Sequence, residues 1–345
     1  MNTLMREEIL SQPAAILNTI EQVRSLQPKL TKIFVDNQIS NIVFFARGTS
    51  DNAAIYGFYL FANKCGIHAT SGHPSLATSY KAAVSLKNTL AIGISQSGKT
   101  EEIIEALNWA KRSGAATLGL TNTPDSPIFA AADLTILTQA GEERAVPATK
   151  TFTSALVALA VIAESVSPDQ EFTNQLNQLP EQIQLTLNQT EAIEKAAKEL
   201  VSQDTAVITG RGYSVSIANE IALKFQESCY LKSLGMSAAD LQHGPKAVVD
   251  HTLPIIAFVP GRKSPVNNTV IELVSRLKPL AASVIAVGPT DCGLPADIQI
   301  ELPETQEALL PILMAPPAQF MVEATAVAKG INPDLPRGLT KVTQT

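Results

Sequence analysis

Short apolar runs alternate with segments of helical period along most of the chain. The runs lie at 41–45, 90–94, 117–120, 134–137, 206–209 and 253–259. Each run ends in small or polar residues, whereas Thr100–Gly114 places its apolar side chains on one helical face and closes on a glycine. Apolar strands that alternate with helices are typical of parallel sheets covered on both faces. The pattern therefore predicts an α/β protein.

The chain also repeats its own pattern at a fixed distance. Arg47–Ser50 (RGTS) is echoed by Arg211–Ser214 (RGYS), and Ala132-Asp133 by Ala296-Asp297; both pairs are offset by 164 residues, from 47 to 211 and from 133 to 297. Two independent anchors at one offset predict two tandem doubly wound parallel-sheet domains related by internal duplication. We expect these domains at 31–183 and 184–331, with an N-terminal helical segment at 1–30 and a C-terminal tail at 332–345.

Composition narrows the possible partners. The net charge is −6, with 45% apolar and 17% charged residues and without a Lys/Arg-rich run, so a nucleic-acid surface is not expected. The longest uninterrupted apolar run, Ala155–Ala163, is far shorter than the ~20 residues that span a membrane. The N-terminus lacks an apolar signal region, and the three cysteines are far apart. We expect a cytoplasmic protein with neither a disulfide framework nor a metal cluster.

Gly93–Thr100 (GISQSGKT) fits the pattern of a nucleotide-binding P-loop. A P-loop NTPase also needs a strand that ends in an acidic residue to hold its metal, and none of the apolar runs ends that way. A loop between a strand and a helix N-terminus is nevertheless suited to an anion, and here it carries three hydroxyls. The residues therefore predict a phosphate site, with simple helix capping by these hydroxyls as the alternative.

Three further stretches carry candidate chemistry. Glu220, Lys224 and Glu227 share one helical face, which is either an exposed salt-bridged face or, given the apolar residues between them, a partly buried catalytic one. His243 stands before a helix-breaking Gly-Pro, where a lone histidine has either a structural or a catalytic role. Lys341 belongs either to a frayed tail or to a segment stiffened by prolines.

Five motifs in order resemble the sugar isomerase (SIS) domain family. They are GTS at 48–50, SQSGKT at 95–100, AGEERAVPATKTFT at 140–153, EIALKFQE at 220–227 with DLQHGPKAVVD at 240–250, and NPDLPRGLTKVTQT at 332–345. Within the family, the chain is most similar to the isomerase half of glucosamine-6-phosphate synthases and to stand-alone deaminases of that type. The resemblance covers nearly the whole chain and implies two tandem SIS domains.

The resemblance also implies roles for individual residues. The substrate phosphate would be held by Ser50, Ser95, Gln96, Ser97 and Thr100. The resemblance makes Glu227 the base that moves the C2 proton, His243 the ring-opening group and Lys341 a contact to the sugar carbonyl. Since the family's histidine comes from a neighbouring subunit, a homodimer is implied. Further candidate substrate contacts are Thr49, Glu143, Val146 and Lys224, although Glu143 would equally serve as a helix cap. Lys99 occupies a slot that is acidic in the synthase, so it is not counted as a ligand.

The choice of reaction depends on the source of ammonia. The synthase needs a glutaminase domain that opens with a nucleophilic cysteine, whereas this chain starts Met-Asn-Thr. We therefore expect the hydrolytic direction, a glucosamine-6-phosphate deaminase without metal or redox cofactor. Alternatives are a galactosamine-6-phosphate deaminase, a fructosamine-6-phosphate deglycase and, less well supported, a simple aldose–ketose isomerase. A non-catalytic sugar-phosphate sensor is the alternative from another class, and it would call for a helix-turn-helix domain.

Overall fold

The chain folds into two compact units, each built around one sheet. A computed structural model describes residues 3–341, so the last four residues of the predicted tail, 342–345, and the first two of the chain lie outside the described part. Of the described residues, 14–143 and 151–177 form one unit, here called the first-sheet unit. Residues 3–13, 144–150 and 178–341 form the other, the second-sheet unit.

The first sheet has five parallel strands. They are β1 (Asn41–Phe45), β2 (His68–Ser71), β3 (Thr89–Ile94), β4 (Ala116–Thr121) and β5 (Leu134–Leu137), in the order β2-β1-β3-β4-β5. Every residue of β3 and β4 is buried, as expected for central strands covered on both faces.

The second sheet repeats this arrangement. Its strands are β6 (Thr205–Gly210), β7 (Lys232–Ser237), β8 (Ile255–Phe258), β9 (Val284–Pro289) and β10 (Ile298–Leu302), all parallel, in the order β7-β6-β8-β9-β10. Read from its own first strand, each sheet has the order 2-1-3-4-5. The predicted fold class, two duplicated doubly wound α/β domains, is confirmed.

The helices follow the strands in both repeats. They are α1 (Leu4–Leu10), α2 (Gln12–Ser25), α3 (Gln27–Asp36), α4 (Thr49–Cys65), α5 (Ser75–Thr78), α6 (Glu101–Arg112), α7 (Ile128–Ala131), α8 (Lys150–Val166), α9 (Gln170–Leu187), α10 (Thr190–Leu200), α11 (Ser214–Cys229), α12 (Ala238–Gln242), α13 (Asn267–Leu277) and α14 (Leu310–Ala328), with a 3-10 turn at Pro245–Val248. The helix expected over 100–114 is α6, and Gly114 ends it at a φ of +95°.

The Ala-Asp repeat has the same structural task in both sheets. Asp133 precedes β5 and accepts hydrogen bonds from the amide and hydroxyl of Thr117 at 2.9 and 2.8 Å, while Lys111 pairs with its other oxygen. Asp297 precedes β10 and accepts from the Val284 amide at 2.8 Å, paired with Lys278. Burial alone would raise the pKa of Asp133, but the bonds from Lys111 and Thr117 outweigh it and lower that pKa. The repeated aspartate therefore fastens the last strand of each sheet to its neighbour.

Within residues 3–341, one helix is long and apolar enough to cross a membrane by length and composition alone. This helix is α14, and most of its side chains are buried within the protein. It packs against α10 and α11, which explains its apolar character as that of a core helix.

The apolar runs named above do not include β2, β7, β9 or β10. Of these, β2 and β7 are edge strands that expose alternate residues, so neither contains a continuous apolar run. His68 is the first residue of β2. His73 lies in the loop that follows.

Candidate active site

The order of the first sheet reverses direction between β1 and β3. In doubly wound sheets, the carboxyl ends of the two strands at such a switch point are where ligands bind. Gly48 follows β1 at a φ of +54° and turns the chain into α4, which places Thr49 and Ser50 in that helix's first turn. The loop 95–100 follows β3 and leads into α6. The topology therefore brings the predicted phosphate residues Ser50 and 95–100 to one edge of one sheet.

An ion pair links the loop after β1 to the first turn of α6. Arg47, in the loop after β1, donates two hydrogen bonds to the Glu102 carboxylate of α6, from Nε at 2.9 Å and from Nη2 at 2.8 Å. Such a paired, planar contact fixes both partners more firmly than a single bond. Arg47 was not among the predicted site residues, although an arginine at the same position of both repeats was a signal for it.

Ser95 organises the loop 95–100 from within. Its side chain is buried, and its hydroxyl lies 3.0 Å from the Thr100 hydroxyl while accepting a bond from the Gly98 amide at 3.2 Å. Thr100 is the N-cap residue of α6, yet its side chain makes no capping hydrogen bond to the helix. The Thr100 side chain therefore does not cap α6, as the capping alternative would require. Ser97 and Gln96 are partly exposed, and the Ser97 hydroxyl accepts from the Lys99 amide at 3.3 Å.

The loop rests on the residues that follow β4. The Gln96 carbonyl accepts hydrogen bonds from the Asn122 amide at 3.0 Å and from the hydroxyls of Thr121 and Thr123 at 3.2 and 3.3 Å. Gly98 has a φ of +62°, and a Cβ there would lie 2.1 Å from the Ser126 hydroxyl oxygen. Only glycine fits this turn without displacing its support.

We expect Gly98→Ala to weaken binding of a sugar phosphate about tenfold or more, because a shifted loop misplaces its donors. Equilibrium binding of fructose 6-phosphate measures the effect. Gly114→Ala is the matched control: Gly114 also has a positive φ of +95°, but its nearest neighbour would be 3.6 Å from a Cβ. If Gly98→Ala bound as tightly as Gly114→Ala, the loop would not hold the phosphate.

The face predicted on α11 carries a buried charge cluster. Glu220 and Lys224 are almost completely buried, and Glu227 is 22% exposed. The Lys224 ammonium lies 3.6 Å from a Glu220 oxygen and forms a hydrogen-bonded ion pair with Glu227. The exposed salt-bridged face is therefore excluded, and Lys224 fixes the carboxylate of Glu227 at the point where α11 reaches the surface.

His243 lies just after α12, at the surface. Its amide donates to the Asp240 carbonyl at 3.0 Å, and the next residue, Gly244, has a φ of +130°. Residues 243–248 are all exposed, including the 3-10 turn at Pro245–Val248. His243 is therefore accessible from outside its own chain.

The C-terminal tail is anchored as far as its last described residue. The Arg337 guanidinium stacks on the Tyr230 ring at 4.1 Å, and the Arg337 amide donates to the Tyr230 hydroxyl at 2.9 Å. Lys341 donates from Nζ to the Ala145 carbonyl at 2.7 Å. Neighbouring Val146 donates its amide to the Asp334 carbonyl at 3.0 Å. Lys341 and Val146 are thus brought to the same loop, and the frayed-tail alternative is excluded for the described residues.

Glu143 makes the helix-capping contact that was the alternative to a substrate contact. Its carboxylate accepts from the Thr151 amide at 3.1 Å and the Thr151 hydroxyl at 2.7 Å, which caps the start of α8. Its role as a substrate contact stays a prediction. Among residues 3–341, no group of three or more His, Cys, Asp or Glu side chains is placed to hold a metal ion.

The predicted residues therefore fall into two sets. Ser50, Thr49, Glu143 and the loop 95–100 belong to the first-sheet unit, whereas Lys224, Glu227, His243, Val146 and Lys341 belong to the second-sheet unit. Sequence reasoning missed Glu8 and Asp334, which hold the loop 144–146 in place. The signal for Glu8 was its position beside Met5 and Ile9 on the apolar face of α1.

Fold and topology define the class of this protein as a duplicated, doubly wound α/β protein. A model described as the SIS domain matches residues 37–165 and 199–329, which together exceed half of the chain. The chain belongs to the SIS domain family.

Individual proteins of known sequence or structure are similar to this chain over nearly its whole length. Glutamine–fructose-6-phosphate aminotransferase (isomerizing) of Thermococcus kodakarensis is 33% identical over 354 residues, covering 98% of this chain and 57% of the relative. The Escherichia coli K12 protein of the same name is 30% identical over 361 residues, covering 98% and 58%. The solved C-terminal domain of glucosamine-fructose-6-phosphate aminotransferase from Francisella tularensis matches with a TM-score of 0.87 at 26% identity, covering 97% of this chain and 99% of that domain. The chain spans somewhat over half the length of these curated relatives.

Proposed function

We propose that this protein is an amino-sugar phosphate deaminase that converts glucosamine 6-phosphate and water into fructose 6-phosphate and ammonia. The observation that carries the proposal is the Glu220–Lys224–Glu227 cluster, a buried ammonium that fixes a partly exposed carboxylate. Similarity to the isomerase part of the aminotransferases supports chemistry at C1 and C2 of a sugar phosphate. The hydrolytic direction needs no glutamine, because water is its only co-substrate.

The phosphate group of the substrate is assigned to the first-sheet unit. Ser50, Ser95, Gln96, Ser97 and Thr100 lie at the switch-point edge, beside the N-termini of α4 and α6, where helix dipoles favour an anion. The order that Ser95 imposes on this loop supports the assignment. None of these contacts calls for a nucleotide in place of a sugar phosphate.

The chemistry begins with ring opening, for which His243 is the proposed proton carrier. In the open form C1 is an aldehyde and C2 carries the amine. Glu227 takes the proton from C2, which gives an enolamine, and returns a proton to C1. The C1 oxygen takes up a proton from water, so that C1 becomes a hydroxymethyl group and C2 an iminium. Water then adds at C2 and expels ammonia. Lys341 would stabilise the oxygen on C1 as its charge develops.

Lys224 has a supporting role in this scheme. Its ammonium is held between two carboxylates, so it keeps the Glu227 carboxylate in one position before the substrate arrives. Thr49, Val146 and Glu143 remain candidate substrate contacts. A cytoplasmic location belongs to the same proposal, and cell fractionation tests it.

A substrate panel tests the proposed function. The purified protein is incubated with glucosamine, galactosamine and fructosamine 6-phosphates, while ammonia and the sugar product are followed. Glucosamine 6-phosphate is expected to give equal amounts of ammonia and fructose 6-phosphate. Preference for either other substrate would move the assignment to the corresponding deaminase or deglycase, and no ammonia from any of them would overturn it.

The proposal includes a homodimer in which His243 serves the partner's substrate. Residues 243–248 are exposed, and the apolar side chains of Leu234 and Val248 are 54% and 53% exposed on the same unit. Leu234 belongs to the edge strand β7 and Val248 follows it in the chain, and a partner chain would cover both.

Mixing two inactive variants tests the shared histidine. Glu227→Gln and His243→Ala are each expected to be inactive, but mixed dimers contain one site with both native groups. Activity should therefore reappear after the two variants are unfolded and refolded together. Activity that stays absent in a verified mixed dimer would place His243 in its own subunit's site.

A further inference from the structure

Three segments that are far apart in the sequence are bonded to one another in the second-sheet unit. They are helix α1, the loop 144–146 and the tail 332–341. Helix α1 is itself fixed to α14: the Thr3 hydroxyl donates to the Glu323 carboxylate at 2.6 Å, and Arg6 donates to the same carboxylate from Nε at 2.7 Å. The Arg6 guanidinium also lies 3.9 Å from the centre of the Phe320 ring. Helix α1 is therefore a firm base for the other two segments.

Glu8 connects α1 to the loop. Its side chain is buried, and its Oε1 atom accepts hydrogen bonds from the amides of Arg144 and Ala145, the latter at 3.3 Å. The carbonyl of the same Ala145 accepts from Lys341 Nζ at 2.7 Å. A single buried residue thus has its amide bound by Glu8 and its carbonyl bound by Lys341.

Asp334 completes the arrangement from the tail. Its carboxylate accepts from the amides of Leu4 and Met5 at 2.9 and 2.8 Å, at the N-terminus of α1. Its backbone carbonyl accepts from the Val146 amide at 3.0 Å. Each of the three segments is therefore hydrogen-bonded to both of the others.

We propose that Glu8 is a positioning residue that sets the location of Lys341 through the Ala145 peptide. A carboxylate that accepts two amide bonds is a strong, charge-assisted partner, and it holds the 144–145 turn in one orientation. Without it, two amides at a buried turn lose their acceptor, and the turn reorients to satisfy them. The Ala145 carbonyl then leaves its place, and Lys341 loses its anchor. The kinetic part of this proposal depends on the proposed function; the structural part does not.

Chemical labelling of Lys341 tests the structural part. Wild type, Glu8→Ala and Glu8→Gln are treated briefly with acetic anhydride, and acetylation of Lys341 is compared by mass spectrometry with that of exposed Lys195 in the same molecule. We expect Glu8→Ala to raise the relative rate about three- to tenfold, the factor that one lost hydrogen bond allows. Glu8→Gln keeps an amide oxygen as acceptor and is expected to stay closer to wild type. Asp334→Ala frees the tail through different bonds and is expected to raise the rate as well.

Turnover tests the kinetic part. Glu8→Ala is expected to lower kcat about 10- to 100-fold, the loss typical of a misplaced catalytic group, with KM for the sugar phosphate changed far less. The control is Asp297→Asn, which removes a carboxylate–backbone contact elsewhere in the same unit and is expected to affect thermal stability alone. Lys341 labelling that is unchanged in Glu8→Ala, whether or not Asp334→Ala raises it, would overturn the inference, whatever the wild-type activity. An active wild type with unchanged kcat in Glu8→Ala would overturn it too.

Discussion

Glu227→Gln is expected to lower kcat for ammonia release about 10²- to 10⁴-fold, the range that a positioned general base contributes. Glutamine has nearly the same size and still offers Lys224 an amide oxygen, so the fold and the cluster should persist. It cannot take a proton from C2, and the reaction would stop after ring opening. Binding of the sugar phosphate should remain close to that of wild type, because the phosphate is assigned to the loop 95–100.

Steady-state kinetics together with calorimetric binding of fructose 6-phosphate measures both halves of this expectation. Glu272→Gln, an exposed change on α13, is the control for loss of one negative charge. If Glu227→Gln kept wild-type turnover, the proton would be moved by another group. If it lost binding as strongly as turnover, Glu227 would act in substrate binding rather than in proton transfer.

Lys224→Met is expected to destabilise the protein by about 3–5 kcal/mol, the usual cost of removing one partner from a buried ion pair. Methionine fills most of the space, but Glu220 is completely buried and would lose the ammonium beside it. Turnover should fall as well, because the Glu227 carboxylate loses the contact that orients it. The midpoint of urea unfolding measures the first effect and ammonia release the second.

Two further variants make this expectation specific. Lys198→Met removes an exposed lysine from α10 and should leave both midpoint and turnover unchanged. Lys224→Met combined with Glu220→Leu should recover part of the stability, since apolar side chains can replace a buried ion pair. It should not recover the activity. A single Lys224→Met variant as stable as Lys198→Met would mean that the cluster contributes little to the fold.

Local patterns were enough to predict the duplicated α/β fold. Apolar runs identified six of the ten strands in the described residues, and the offset between Arg47 and Arg211 identified the repeat. Strands β2 and β7 were missed because each exposes alternate residues and therefore lacks a continuous apolar run. Strand order also cannot be read from local patterns, since it depends on which strands pair across the sheet.

The candidate site was predicted only in those parts that are formed by residues close together in the sequence. The loop 95–100 and the face of α11 are local motifs, so their residues could be named from spacing. Spacing alone did not decide whether this face is exposed or buried. The structure shows that Lys224 is buried. The contacts of Asp334 with Leu4 and Met5 join residues about 330 positions apart, so no local pattern could indicate them. Such contacts arise only when the complete unit has folded.

Transfer of the C2 proton is the central step of the proposed reaction, and it can be followed directly. The wild-type protein is given glucosamine 6-phosphate that carries deuterium at C2, and the recovered sugar phosphates are examined by NMR and mass spectrometry. We expect deuterium to leave C2 as ammonia forms, with part of it found at C1 of fructose 6-phosphate and the rest in water. Deuterium fully retained at C2, in substrate that binds to the protein, would contradict the proposed function.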